Sequence, residues 1–158
     1  MPKIVVRADS AYRKKIDSRR LRETAQKTLA HESAPSRAEI TLVIIGDDEI
    51  RDLNRQYRDV DAPTDVLSFA EAEADTRFVA APDKSAYLGD VVISYPRAVA
   101  QAVSAGHSVA DELLLLVVHG VLHLLGHDHA SRAEKRKMWA AQKEILNELG
   151  LQIKINAA

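Results

Sequence analysis

Short β-branched runs alternate along this chain with stretches in which apolar residues return every third or fourth position, and the alternation marks out the elements. Lys3 to Arg7 is a short strand candidate. Ile16 and Asp17 read as the staple and cap of a helix running to about Ala30, with Leu21, Ala25 and Leu29 on its inner face. After the loop Ser33-Ala-Pro-Ser-Arg37, the run Ile40-Thr-Leu-Val-Ile-Ile45 has the composition of a buried strand. Gly46-Asp47-Asp48-Glu49 then opens a helix with acidic residues at its positive end, and Ile50, Leu53 and Tyr57 give it an apolar stripe. Past a polar loop around Pro63, Val66 to Phe69 is a strand, Ala70 to Ala86 a variable loop without clear period, and Tyr87 to Ser94 the next strand. Ser94 and Pro96 start a helix that Gly106 ends, and Ser108 with Asp111 resembles a capping box for the helix after it. A last helix from about Ser131 to Leu149 carries Trp139, Ile145, Leu146 and Leu149 and stops near Gly150. The sum is an α/β (α+β) fold, a single domain over residues 1–158, with a small mixed sheet of about four strands and about five helices packed over it.

One helix carries the chemistry. From Val109 to Leu125 nearly every position is apolar, which predicts a helix buried on all sides. His119 and His123 interrupt it at a spacing that puts them on one face, a turn apart. Imidazoles buried without partners lose hydration, and a metal ion compensates them. Gly126 follows, suited to the left-handed conformation that ends a helix, and the turn brings His127 or His129 round to the same point. The pattern H-x-x-x-H-x-x-G-x-x-H is that of a zincin-like metal helix with one change. Where zinc proteases place their glutamate base this chain has Gly120, so the ligand frame is present and the proteolytic base is not. Met138 falls inside a predicted helix and does not supply the methionine turn of such proteases.

Composition narrows the picture. With 158 residues, 46% hydrophobic and 28% charged, the chain reads as an ordinary globular protein with one substantial core. The absence of cysteine removes disulfides and thiolate ligands together and is compatible with a reducing cytoplasm. The opening residues meet charge too soon for a secretory signal, and the apolar run ending at Leu125 is too short to span a bilayer, so no membrane partner is expected. A net charge of −1 draws in no nucleic acid overall, so RNA binding would rest on local patches. Two exist: Arg13, Lys14, Lys15, Arg19, Arg20, Arg22 and Lys27 around the first helix, and Arg132, Lys135, Arg136, Lys137 and Lys143 just after His129. Charge runs on helices are usually solvated faces.

Three blocks together resemble the YbeY family of bacterial rRNA-maturation endoribonucleases. They are Asn54-Arg-Gln-Tyr-Arg58-Asp-Val-Asp61-Ala-Pro-Thr-Asp65-Val-Leu-Ser-Phe69, then Leu88-Gly-Asp90-Val-Val-Ile-Ser94, then His119-Gly-Val-Leu-His123-Leu-Leu-Gly126-His-Asp-His129. The resemblance runs from the Ile40 strand to Gly150-Leu151. It implies a cytoplasmic, single-strand-specific endoribonuclease with one Zn2+, acting on small-subunit rRNA at its 3′ end and in ribosome quality control, with ribosomal proteins as further contacts. It assigns the three ligands to His119, His123 and His129. Two residues depart from the family pattern: His127, where tyrosine is usual, which offers a fourth nitrogen, and Ala70, where proline is usual.

Zinc held by three neutral imidazoles keeps its charge and lowers the pKa of bound water to about 7. Phosphodiester chemistry also needs a cation on the phosphate, and Arg58 is the candidate because a guanidinium matches two phosphate oxygens at once. The alternative role for Arg58 is to tie down its loop by pairing with Asp59, Asp61 or Asp65. Asp128 is open to three roles, a base, the orientation of a histidine or a cap on the turn, with orientation preferred, while Asp90 and Ser94 receive no role and Gly120 reflects close packing or room for substrate. Two other functions are open to the same residues: a metal-dependent hydrolase of another substrate class, such as a peptidase, and a non-catalytic ribosome-assembly factor with a structural zinc.

Overall fold

The structure is a computed structural model and describes residues 1–71, 87–128 and 130–151. Its strands are β1 (Lys3–Ala8), β2 (Glu39–Ile45), β3 (Val66–Ala70) and β4 (Tyr87–Ser94), and its helices α1 (Ser18–His31), α2 (Asp47–Arg58), α3 (Tyr95–Ala105), α4 (Val109–Leu124) and α5 (Arg132–Glu148). The strands form one mixed sheet in the order β1-β2-β4-β3. β1, β2 and β4 run parallel, and β3 lies antiparallel on the edge with Val66 opposite Ile93 and Ala70 opposite Gly89.

The two-residue period of the strands splits the core in two. Ile40, Leu42, Ile44, Val91 and Ile93 face α1, α4 and α5 in the larger cluster. Val43, Ile45, Val92, Leu67 and Phe69 face Ile50 and Leu53 of α2 in the smaller one. β2 is apolar on both faces because both are covered, as parallel strands require. Leu21, Ala25 and Leu29 are buried on α1 as their spacing predicts.

The capping residues act as read from the sequence. Asp17 accepts from the Arg20 amide (3.1 Å) and Ser108 from the Asp111 amide (3.1 Å). Ser131 caps α5 through the Glu134 amide, and Ser94 caps α3 through that of Arg97. No single helix among the described residues is long and apolar enough to cross a membrane.

Two expectations need correction, those for α4 and for Ala70. α4 is not buried on all sides: Leu115, His119 and His123, at successive i,i+4 positions, form a half-open stripe. On α5 the inward face is Met138, Gln142, Ile145 and Leu146, while Trp139 is only half-buried, with the Lys135 ammonium 4.6 Å from its ring centre. Ala70 is the last residue of β3 rather than loop, and the rest of the predicted variable loop, 72–86, lies outside the described residues.

α4 crosses β4 and β3 at very short range. A Cβ on Gly120 would stand 2.4 Å from Val91 Cγ1 and 3.3 Å from Val66 Cγ2, so only glycine lets the helix sit this low. Close packing, not space for substrate, accounts for Gly120.

Candidate active site

His119 and His123 project from the half-open stripe of α4 with their Nε2 atoms 3.2 Å apart and their ring planes at 67°. Two nitrogens on one tetrahedral zinc at about 2.05 Å are separated by about 3.3 Å. The pair thus already has the spacing of two ligands on one ion, and neutral imidazole is the donor zinc takes most readily. The Nδ1 of His119 lies 3.0 Å from Oε1 of Gln142, a buried side chain on α5. An amide oxygen only accepts, so Nδ1 donates and Nε2 keeps its lone pair toward the cleft. Among the described residues no third histidine, cysteine, aspartate or glutamate joins the pair. His129, to which the family resemblance gives the third ligand, lies outside the described residues.

The end of α4 separates His127 from this site. The Gly126 amide donates to His123 O and the His127 amide to Leu122 O, both at 3.0 Å, with Gly126 at φ 95°. This is the glycine-terminated Schellman turn that the sequence suggests. It directs His127 to α1, where its Nε2 bonds Oε1 of Glu32. Oε2 of Glu32 takes Nδ1 of His31 (2.7 Å), and Nε2 of His31 reaches Oε2 of Glu144 (2.8 Å). His127 is therefore a fastening between α1 and the turn, not a fourth nitrogen for the cleft. Burial alone would raise the Glu32 pKa, but the bonds from His127 and His31 outweigh it and hold the carboxyl below its ordinary value. His31 is raised, chiefly by Glu144. Asp128 is exposed on the same turn.

The histidine pair opens on a cleft of about 410 Å3 between α4 and the edge strand, with Arg58, Thr64, Asp65 and Ser68 in its other wall. Arg58 is the last residue of α2, and Asp59 after it takes the left-handed conformation (φ 59°) that turns the chain toward β3. The guanidinium lies 5.0 Å from the centre of the Phe69 ring. Its Nη2 donates to Ser68 O (2.9 Å) and its Nη1 to Tyr57 O (3.2 Å). Of the carboxylates considered for it, Asp61 holds Arg51 through both oxygens (2.8 and 3.2 Å). Asp65 accepts from the Val66 amide (2.7 Å) and from Gln101 (3.3 Å). Ser68 completes the wall by donating its hydroxyl to Gly120 O at 2.8 Å.

The structure thus brings together His119, His123 and Arg58. Asp90 and Ser94 belong elsewhere: Asp90 is fully buried and accepts from the Tyr87 hydroxyl, while Ser94 donates to Asp47 (2.7 Å). The Tyr87 hydroxyl is pushed up by burial and then by that carboxylate. At the other end of α4, Glu112 is raised by burial, opposed by its 2.6 Å bond to His107. Sequence reasoning missed Gln142 and Ser68. Gln142 carried a faint signal, since it shares an i, i+4, i+7 stripe with apolar Met138 and Ile145.

The family model for endoribonuclease YbeY matches residues 7–150. The chain is 52% identical over 136 residues to the endoribonuclease YbeY of Chloroflexus aurantiacus, covering 85% of this chain and 88% of that protein. It is 47% identical over 136 residues to that of Geobacillus kaustophilus, covering 82% and 86%. The solution structure of TM1509 from Thermotoga maritima superposes with a TM-score of 0.55 over 93% of this chain and 91% of that one. At 24% identity, that likeness is one of fold. The identity and reach of the sequence matches decide the assignment: this chain belongs to the endoribonuclease YbeY family, hydrolases that act on RNA.

Proposed function

We propose that this protein, as one domain over residues 1–158, is a zinc-dependent endoribonuclease of the cytoplasm. Its substrate in this reading is single-stranded rRNA of the small ribosomal subunit, matured at the 3′ end of 16S rRNA, with a part in ribosome quality control and contacts to ribosomal proteins. The observation that carries the reading is the pair of Nε2 atoms of His119 and His123, 3.2 Å apart, opening on a cleft whose far wall presents Arg58. The ion would be held by His119 and His123 together with His129. When bound, it supplies Lewis acidity and activates water at neutral pH.

The chain's own groups do the rest. Arg58, steadied by two carbonyls and the Phe69 ring, grips the non-bridging oxygens of the scissile phosphate and offsets the charge that builds there. Gly120 lets α4 lie low on the sheet, so the histidines face the wall that carries the arginine. A cleft of about 410 Å3 is of small-ligand size, which suits a nucleotide of an extended strand better than a duplex.

The test compares a labelled single-stranded RNA, a duplex of equal length and casein. Each is incubated with the protein as purified, after chelation and after zinc is restored. Cleavage of the single strand alone, lost on chelation and recovered with zinc, is the expected result. Cleavage of casein alone would overturn the substrate class, and cleavage indifferent to chelator would overturn the metal.

A further inference from the structure

Several buried polar side chains of this protein are used on backbone. Thr24 and Thr28 donate to carbonyls one turn back, and Asn54 donates to Ala62 O. Gln142 is used differently. It is 2% exposed, set between Met138 and Ile145 in the packed face of α5, and its Oε1 meets Nδ1 of His119 at 3.0 Å. A neutral imidazole carries one proton, and which nitrogen holds it is decided by the bond the other makes. An acceptor fixed behind Nδ1 therefore leaves Nε2 as a lone pair, and that is the nitrogen facing His123 Nε2 across 3.2 Å.

We infer that Gln142 is a positioning residue of the active site, holding His119 in the Nδ1–H tautomer and in the ring orientation that presents Nε2 to a metal ion. The inference rests on the metal reading above and extends it to a helix that contributes no ligand. Partners behind a ligating histidine fix tautomer and ring together, and losing one typically costs 10- to 100-fold in metal affinity. Gln142 does this as a neutral amide, so it orients the ligand without placing a negative charge behind it. Because the side chain is buried, the amide is pre-set before any ion arrives.

The experiment uses the full chain labelled with 15N-histidine, metal-free and zinc-loaded, with two-bond proton–nitrogen spectra to locate the His119 proton. Zinc affinity is measured by chelator competition, and each protein is melted as a control. Gln142→Met keeps the length of the side chain and removes its acceptor; Gln142→Glu keeps an acceptor. Metal-free wild type and Gln142→Glu are expected to carry the proton on Nδ1, and Gln142→Met to shift it toward Nε2. The zinc Kd of Gln142→Met should rise about 10- to 100-fold, while Gln142→Glu stays within about threefold of wild type or binds tighter. A wild-type His119 protonated on Nε2 would overturn the inference whatever the variants do. So would a Gln142→Met with wild-type tautomer and affinity, or equal losses in Met and Glu, which would assign the effect to packing. A wild type that takes up no zinc would remove the metal reading and this inference with it, whereas normal uptake in both wild type and Gln142→Met removes the inference alone.

Discussion

Where α1 meets α5, His31 lies between Glu32 and Glu144, and His127 closes on the other oxygen of Glu32. In the cleft, His119 and His123 instead turn their Nε2 atoms toward each other. The same side chain serves opposite ends in the two places. Beside carboxylates, imidazole gains from being charged, so His31 is raised and Glu32 lowered, and the group ties elements together. Facing a second imidazole, with an amide oxygen behind it, the His119 ring turns its other nitrogen to a shared point. Histidine content alone does not separate the two roles; what each ring faces does.

The largest effect expected from breaking this contrast is at the cleft. His123→Ala should lose stoichiometric zinc and all measurable RNA cleavage, read by elemental analysis and gel assay. A variant that still binds one zinc per chain would show that the pair is not the seat of the ion. Arg58→Ala should lower kcat/KM by roughly 10²- to 10³-fold, the scale for removing one donor to a charged transition state, with zinc content and Tm unchanged. A purely structural zinc in an assembly factor predicts the reverse, with RNA processing intact.

At the junction the effects should be on stability instead. Glu32→Gln weakens the contacts to both His31 and His127 and should cost about 1–3 kcal/mol, the scale of hydrogen bonds to a charged group, with cleavage retained. Chemical denaturation measures it, and an unchanged midpoint would mean the junction is idle. The smallest effect is the pH dependence of His31. Its folded pKa stands above the ordinary 6.5, so its stabilisation is fully present below that pH and is lost as pH rises through the folded value. Glu32, lowered from 4.5, contributes above that value and loses its contribution as pH falls through the folded one. The Tm gap between wild type and His31→Ala should therefore be widest between the two reference values and narrow toward pH 9. A gap that widens on the alkaline side would contradict the assigned charges.

Much of this was legible because it is local. The His119–His123 spacing, the Ser108 and Asp17 caps and the Gly126 turn are each set by residues within a few positions, and helical geometry does the rest. The split of β2 into two apolar faces was likewise written in its uninterrupted run. What escaped depends on residues far apart in sequence. Glu32 is 95 positions from His127, so nothing near that histidine says where it points. Gln142, on a helix rich in Lys and Glu, reads as surface until His119 is seen 23 positions before it. Met138 and Trp139 are adjacent apolar residues, and it is the packing of α5 on distant elements that gives Met138 the core place.

Ser68 links the two walls of the cleft: its hydroxyl is tied to Gly120 on α4, and its carbonyl is tied to Arg58. On the proposed reading, this residue is a single rivet on the border strand between the anion clamp and the seat of the ion. A displacement of that strand would then carry clamp and seat together. For an RNA substrate, the gauge that selects which bond is cut would then be carried by the protein wall and need not be supplied by the strand itself.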